Sequence, residues 1–241
     1  MVPKLLYDQR KNCPRGRAGA RRQQRYSPKK SPTLSGNSSC RARWACHDQL
    51  PEIDRAVVST DHDEIARVAE EAGIAAPFRR PEALSGDRIG DIDVLTHALQ
   101  ASEQLDDRRY DIVLMLQPTS PLRRAEQVRE CLRMLVDEGW DAVWTVSETD
   151  SKNHPLKQLT ISAQAELDYY DPAAAGIIAR QQLAPVYHRN GVAYALTREC
   201  LIDRRTLKGA RTGALVIKEH HVSIDTLFDL ALAEWLATGA Y

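Results

Sequence analysis

The sequence lacks any long apolar run and any recognisable arrangement of paired cysteines. No segment approaches the roughly 20 consecutive apolar residues of a membrane span, and the cations around the short apolar patch at its start do not make a secretory signal. The five cysteines are odd in number and include no C-x-x-C pair, which argues against a disulfide framework and against a zinc site. These absences predict a soluble globular protein without membrane contact, located in the cytoplasm.

The formal net charge is zero, but two different compositions are joined in the chain. Residues 1–47 carry 12 Lys and Arg against one acid; since the chain has 33 of each, the remainder carries 21 basic and 32 acidic residues. The segment 1–50 shows no periodicity, which predicts a disordered basic segment. Such an arm can bind nucleic acid through its charge, but its arginines are not interleaved with aromatic residues, which favours a solvated tail.

A regular pattern begins near Pro51, where short β-branched runs alternate with longer helical patterns. This alternation predicts an α/β domain over residues 51–241. Asp61 is the expected N-cap of the first helix, and the less periodic residues 151–190 are expected to leave the sheet. The predicted strands are 55–60, 111–117, 141–147, 191–196 and one near 214–218; the predicted helices are 61–72, 91–103, 125–137 and 226–236.

Polar residues follow three of the predicted strands. They are Ser59 to Asp61, Gln117 to Ser120 and Ser147 to Asp150. Because ligands of open parallel sheets bind outside the carboxyl ends of the strands, these residues are expected to meet in one crevice.

Two loops carry groups suited to a polar ligand. The run from Gln117 to Arg123 places amide, hydroxyl and guanidinium groups on a turn that two prolines stiffen, which favours a binding role over simple strand termination. Arg79, Arg80 and the following Ser85-Gly86-Asp87 form a cationic loop that suits a phosphate or nucleotide, although a solvated loop has the same composition.

Two further groups of residues precede elements of the second half. Arg180, His188, Arg189 and Asn190 would suit a carboxylate or phosphate, although His188 taken alone favours a structural histidine. Asp225, followed by Asp229, is either a magnesium ligand or the N-cap of the last helix. The adjacent His220 and His221 are discounted as a metal pair, because neighbouring residues of a strand point to opposite faces.

Taken together, the motifs resemble those of the acylneuraminate cytidylyltransferases, the CMP-sialic acid synthetases and their relatives. The resemblance covers residues 51–236, and LQPTSPLR is its most specific motif. In chain order the motifs are STD at 59–61, RPEALSGD at 80–87, LQPTSPLR at 116–123, HPLK at 154–157, NGVAY at 190–194 and SIDT at 223–226.

This resemblance implies a mononucleotide-binding, Rossmann-like three-layer α/β sandwich of the nucleotide-diphospho-sugar transferase type. The implied reaction transfers a cytidylyl group from CTP to the anomeric oxygen of a nonulosonic acid and releases pyrophosphate, with Mg²⁺ as cofactor. The protein would be a homodimer that exchanges residues 151–190 between sugar pockets.

The resemblance also implies roles for particular residues. Gln117 and Asp225 would be catalytic, with Asp225 also the metal ligand. The sugar acid would be bound by Gln117, Lys157, Arg180, Asn190 and Tyr194, and the nucleotide by Arg80, Ser85 and Asp87. Arg180 is the expected partner of the sugar carboxylate.

Two departures from the family pattern stand out. Ser223 replaces one of the two carboxylates that many relatives carry, and a hydroxyl is a weaker magnesium ligand. The family's phosphate-binding turn, P-A-R-G-G-S-K followed by K-N, is absent near the start. Without the first strand and this turn, we expect a chain that folds poorly and has little transferase activity.

A shifted reading frame is one hypothesis for the missing turn. Residues 17–30 (RAGARRQQRYSPKK) can be written in synonymous codons that, read one base later, encode V-P-A-R-G-G-S-K-G-I-P-R-K-N. The codons could be chosen only among synonymous ones, and the shifted translation matches the family motif through the whole segment. The basic segment is then a frameshifted translation, with the proper frame regained before about Pro51.

Other functions remain open. Synthetases for legionaminic, pseudaminic or shorter keto-deoxy acids share much of the architecture. A non-catalytic remnant, in which the basic arm binds nucleic acid, is the alternative outside enzymes.

Overall fold

A computed structural model of the chain describes residues 4–9, 49–86 and 88–239. The strands are β1 Lys4–Gln9, β2 Arg55–Ser59, β3 Ile112–Leu116, β4 Ala142–Glu148, β5 Leu159–Ile161, β6 Leu167–Tyr169, β7 Tyr187–Thr197 and β8 Thr212–Val216. The α-helices are α1 Asp63–Glu71, α2 Asp91–Asp106, α3 Ala125–Asp137, α4 Arg198–Ile202 and α5 Leu227–Ala237.

Six strands form the main sheet in the order β2-β1-β3-β7-β4-β8. Strands β2, β1 and β3 are mutually parallel, whereas β7 runs antiparallel to both β3 and β4, and β8 is parallel to β4. Five strands therefore end at the same edge of the sheet, and β7 begins there. The predicted α/β sandwich is confirmed, the sheet is mixed, and the carboxyl ends of five strands share one edge.

Strand β3 is buried on both faces because its residues are apolar throughout. All five residues of β3 are buried, which is typical of strands covered by helices on either side. One buried cluster contains Leu114, with residues of α1 and α3, and the other contains Val113, with residues of α2 and α4. Successive residues of β3 thus face opposite layers and join the two halves of the core.

The expectation that the first strand is missing is wrong. Lys4–Gln9 forms β1 and lies between β2 and β3, with Tyr7 opposite both Val57 and Met115 in the parallel registers. Residues 1–47 show no period typical of a strand, so β1 could not be predicted from its own sequence. Its place in the sheet comes from pairing with β2 on one side and β3 on the other. Residues 10–48, and with them the hypothetical frameshifted turn, lie outside the described residues.

Two expected helix caps also differ in the structure. Helix α1 begins at Asp63 with His62 as the N-cap, and the His62 backbone N–H donates to the Thr60 hydroxyl; Asp61 pairs with Arg80 instead. The N-cap of α5 is Thr226, whose hydroxyl accepts from the Asp229 backbone N–H. The capping interpretation of Asp225 is therefore wrong.

Residues 151–186 leave the sheet; the expected excursion of residues 151–190 was too long, because residues 187–190 already belong to β7. They contain four short 3₁₀ turns and the β5–β6 hairpin, which pairs Leu159 with Tyr169. Apolar side chains of this excursion are exposed; Ile161 is 71% and Ile178 93% accessible. Within the described part of the chain, no helix is long and apolar enough to cross a membrane.

Candidate active site

A bulge in β7 lies near the edge of the sheet where the parallel strands end. Trp144 of β4 lies opposite Tyr194, but two residues later Val146 lies opposite Arg189. Residues 190–193 of β7 are therefore extruded from the ladder, and we refer to them as the bulge. Bulges redirect backbone and side chains next to active sites. This one lies beside the end of β3 and opposite Thr145 of β4.

Side chains satisfy the backbone amides that the bulge removes from the ladder. The N–H of Gly191 donates to the Tyr194 hydroxyl (2.9 Å), that of Val192 to Asn190 Oδ1 (3.1 Å), and that of Ala193 to Thr145 Oγ1 (2.9 Å). Thr145 in turn donates to Asn190 Oδ1 at 2.7 Å. The bulge is thus a fixed structure with its polar groups paired, as buried polar groups must be.

The turn after β3 packs directly against this bulge. The Gln117 N–H donates to the Gly191 carbonyl (3.2 Å) and the Ser120 hydroxyl to the Asn190 carbonyl (2.7 Å). A guanidinium N–H of Arg123, which is 8% exposed, donates to the Gln117 carbonyl. The predicted binding turn is therefore locked to β7 at several points.

Gly191 makes this close approach possible. Its φ of +74° lies in the left-handed region, and a Cβ placed there would lie 2.5 Å from Ser120 Oγ and 2.6 Å from Gln117 Oε1. The Gln117 side chain consequently lies directly over the Gly191 backbone. Glycine is the residue that fits both the conformation and the space.

Asn190 and Tyr194 are buried and serve the bulge. The Asn190 amide also donates to Ser147 Oγ at 3.1 Å, so both ends of the side chain are occupied. Tyr194 is 3% exposed, and burial raises the pKa of its phenol, which keeps the hydroxyl protonated. Their contacts fit positioning of the turn that carries Gln117, while their direct contact with a sugar stays a prediction.

Arg80 lies in the loop before α2, and a backbone hydrogen bond to Thr60 places it beside the end of β2. Its side chain is 2% exposed, lies 3.6 Å from Asp61 Oδ1, and its backbone N–H donates to the Thr60 carbonyl. The Ser85 hydroxyl donates to the Pro81 carbonyl, which shapes the following loop. Asp87 lies outside the described residues.

Sequence reasoning missed His97 of α2, which packs against this loop. Its ring meets the ring of Phe78 edge to face, with 5.4 Å between centroids. Burial, and then the charge of Arg80, lower the pKa of His97. The signal that could have found His97 is a histidine among the apolar positions of a helix. Its ring partner Phe78 lies outside α2, so the contact between them could not be predicted from the helix alone.

Asp225 is brought next to the turn after β3 by a backbone contact, since the Ile224 N–H donates to the Thr119 carbonyl at 2.9 Å. Its side chain is exposed. Asp229 accepts three hydrogen bonds from residues 225 and 226, which lower the pKa of its carboxyl. Asp225 thus remains the carboxylate of this pair that can face a metal.

Lys157 and Arg180 lie on the excursion with exposed side chains. Neither forms a hydrogen bond or ion pair with Gln117, Asn190 or Tyr194 within the described residues. The structure therefore does not bring these two cations into the bulge cluster, and their assignment to the sugar carboxylate stays a prediction.

The described residues contain no cluster of three or more His, Cys, Asp or Glu side chains that could enclose a metal ion. His220 and His221 follow β8 in irregular chain, so the reason for discounting them was wrong, although they still join no such cluster. Magnesium often takes only one or two protein carboxylates and receives its other ligands from phosphates and water. A lone Asp225 fits that mode of binding.

A sequence model of the cytidylyltransferase family matches residues 47–234. The chain is 31% identical over 185 residues to the CMP-N,N'-diacetyllegionaminic acid synthase of Legionella pneumophila, covering 75% of this chain and 76% of the relative. It is 30% identical over 173 residues to the N-acylneuraminate cytidylyltransferase of Streptococcus agalactiae, covering 71% of this chain but 40% of that longer protein.

Solved structures share the fold at low sequence identity. A CMP:2-keto-3-deoxy-manno-octonic acid synthetase complexed with CTP aligns with a TM-score of 0.65 at 14% identity, over 100% of both chains. The 4-diphosphocytidyl-2C-methyl-D-erythritol synthase of Anaerococcus prevotii aligns with a TM-score of 0.61 at 13% identity, over 98% of this chain and 96% of that one. With its motifs, fold and relatives in agreement, the chain belongs to the cytidylyltransferase family of nucleotidyltransferases.

Proposed function

We propose that this protein activates a nonulosonic acid of the sialic type with CTP, giving the CMP-sugar and pyrophosphate. The observation that carries the proposal is the locked contact between the Gln117 turn and the bulge of residues 190–193, which joins two of the family's motifs at the strand-end crevice. The relatives from Legionella and Streptococcus are named for acids of this class.

In the proposed reaction the anomeric hydroxyl of the sugar acid attacks the α-phosphorus of CTP. A new O–P bond forms, the bond from the α-phosphorus to the bridging oxygen breaks, and pyrophosphate leaves with the electron pair. The hydroxyl proton passes to solvent or a base. Such a reaction depends mainly on positioning and charge neutralisation. The locked turn would hold the Gln117 amide against the sugar, and buried Arg80 would face the nucleotide.

Magnesium is proposed as the cofactor, with Asp225 as its protein ligand. The backbone bond from Ile224 to Thr119 holds Asp225 beside the turn that carries Gln117. The ion would supply charge neutralisation at the triphosphate. Ser223 is exposed in the same loop and would contribute at most a weak hydroxyl ligand.

A homodimer is proposed on the exposed apolar side chains of the excursion. Leu167, Tyr170 and Ile178 are 64%, 66% and 93% accessible in the single chain. An exposed apolar surface of this kind favours contact with another protein surface. A second copy would cover it and carry Lys157 and Arg180 towards a neighbouring sugar pocket, which explains why they lie apart from Gln117 within one chain.

The choice among nonulosonic acids is tested by substrate comparison. The purified chain is incubated with CTP, Mg²⁺ and, separately, N-acetylneuraminic, diacetyllegionaminic, pseudaminic and keto-deoxy-octonic acids, and pyrophosphate release is measured. Because this chain is expected to have little activity, the same comparison is made with a chain in which the missing phosphate-binding turn is restored. In the active form we expect turnover with a nonulosonic acid, and legionaminic acid is the second candidate because of the Legionella relative. Pyrophosphate release that needs none of these acids contradicts the proposal.

The reading-frame hypothesis is tested in the same assay. A restored chain carries V-P-A-R-G-G-S-K-G-I-P-R-K-N in place of residues 17–30, and the nucleotide sequence of codons 10–50 is determined in parallel. We expect the printed chain to have little activity and the restored chain to be active, because the phosphate-binding amides and cations return. Equal activity of the two chains contradicts the frameshift hypothesis and leaves the cytidylyltransferase proposal intact.

A further inference from the structure

The nucleotide side of the crevice contains a half-buried histidine that the proposed chemistry does not use. His97 lies on α2, and its Nδ1 is buried with no hydrogen-bond partner. A buried ring nitrogen without a partner costs free energy, so the position calls for a physical reason beyond core packing. A leucine or phenylalanine would fill the same space without that cost.

The contacts of His97 lead to the segment that carries Arg80. Phe78 meets the His97 ring at 85° between ring planes, two residues before Arg80. On the other side, the Arg80 backbone is fixed to Thr60 and its guanidinium lies beside Asp61. The same loop is also tied to α1, because Arg79 Nε donates to Asp63 Oδ1 at 2.9 Å. His97 thus supports this loop from α2, while its other contacts lie at the end of β2 and the start of α1.

We infer that His97 is a positioning residue for nucleotide binding, which holds the Phe78–Arg80 segment so that the Arg80 guanidinium faces CTP. This inference rests on the proposed function of Arg80. Because its ring is uncharged, His97 supports the segment without repelling the buried guanidinium of Arg80. Among the described residues, Arg80 is the charge that acts on His97, and Asp61 acts on Arg80 itself.

A protonated His97 would place a second cation beside Arg80 and weaken its alignment. Burial and the charge of Arg80 lower the pKa of His97 from its ordinary value of 6.5, so the ring stays neutral at pH 7 and gains its proton only below pH 6.5. CTP affinity should therefore fall in acid through this window. A merely structural histidine would affect stability and leave this pH dependence unchanged.

The test measures CTP dissociation constants by calorimetry for the full chain and three variants across pH 5 to 8. His97→Ala removes the support and should weaken CTP binding at pH 7.5 on the order of tenfold. His97→Phe keeps an aromatic edge for Phe78 and should restore affinity while removing the acid-dependent loss. Thr96→Ala, one position away on α2, is the matched control and should bind as the parent does.

The outcomes separate this inference from the proposed function. If the parent chain and its frame-restored form both fail to bind CTP, the proposed function and the inference fall together. If the parent binds and His97→Ala binds equally well, only the inference is refuted. The same holds if His97→Phe shows the parent's pH profile, a comparison that remains decisive even if His97→Ala does not fold.

Discussion

The sharpest prediction concerns Gly191, on which the contact between β7 and the Gln117 turn depends. In Gly191→Ala the new methyl group would lie 2.5 Å from Ser120 Oγ and 2.6 Å from Gln117 Oε1, well inside van der Waals contact. The residue would also keep a φ of +74°, which costs an alanine about 1 kcal/mol or more. Because Ser120 is tied to the bulge, the turn has to move as a unit.

A displacement of about 1 Å at a positioning residue costs on the order of 100-fold in rate. We therefore expect kcat/KM for the sugar acid to fall by about that factor in Gly191→Ala, in whichever of the printed and restored chains is active. Thermal unfolding should show a loss of about 1 to 3 kcal/mol, combining the left-handed backbone and the crowding.

Gly139→Ala is the matched control. Gly139 also has a positive φ, +65°, but an added Cβ would have no atom within 4 Å. It should lose about 1 kcal/mol of stability, a shift of roughly 2 to 4 °C in Tm, and keep its activity. Comparable kcat/KM values for the two variants would refute the argument that Gly191 fixes the turn.

Three further predictions follow from single contacts. Thr145→Val removes the hydroxyl that bridges Asn190 and Ala193, so we expect a loss of about 1 to 3 kcal/mol in denaturant unfolding; an unchanged midpoint would contradict the pairing of the bulge. Asp141 accepts a hydrogen bond from the Arg211 backbone N–H, which lowers the pKa of its carboxyl below the ordinary value of 3.8. The stability that this contact contributes is present above pH 3.8 and is lost as the pH falls through the lower pKa of the folded state. Asp141→Asn should therefore lower stability near neutrality and flatten the acid side of the stability profile measured by Tm, and an identical profile would show that the contact is unimportant. Burial raises the pKa of Cys131 to about 12, so peptide mapping after alkylation at pH 8 should find it unmodified in the folded chain and modified in denaturant; rapid native labelling would contradict its placement.

Local patterns predicted most of the elements because the signals are short-range. The apolar run of β3 and the amphipathic pattern of α3 lie within single segments, and the structure has both, α3 with the predicted ends. The predicted start of α1 was wrong because Asp61 is drawn away by Arg80, 19 residues later in the chain. Arg80 lies outside the helix segment, so no pattern within that segment could predict that Asp61 pairs with Arg80 and does not cap the helix.

The candidate site likewise combines residues that the sequence identified with features that depend on contacts between distant segments. Turn chemistry and family motifs identified the Gln117 run, Arg80 and Asp225 as functional candidates. The bulge could not be predicted, since it arises where one residue of β4 opposes several of β7. His97 was missed because its role depends on Phe78, which follows β2, whereas His97 belongs to α2.

By itself, the sequence determined the alternation of strands and helices, the residues that follow the strands and the family to which they belong, because hydrophobic period and turn chemistry act between near neighbours. Tertiary structure alone decided that Lys4–Gln9 enters the sheet between β2 and β3, and that β7 lies antiparallel between β3 and β4. These pairings join segments far apart in the chain, and the free energy that selects them comes from burial shared across the whole sheet.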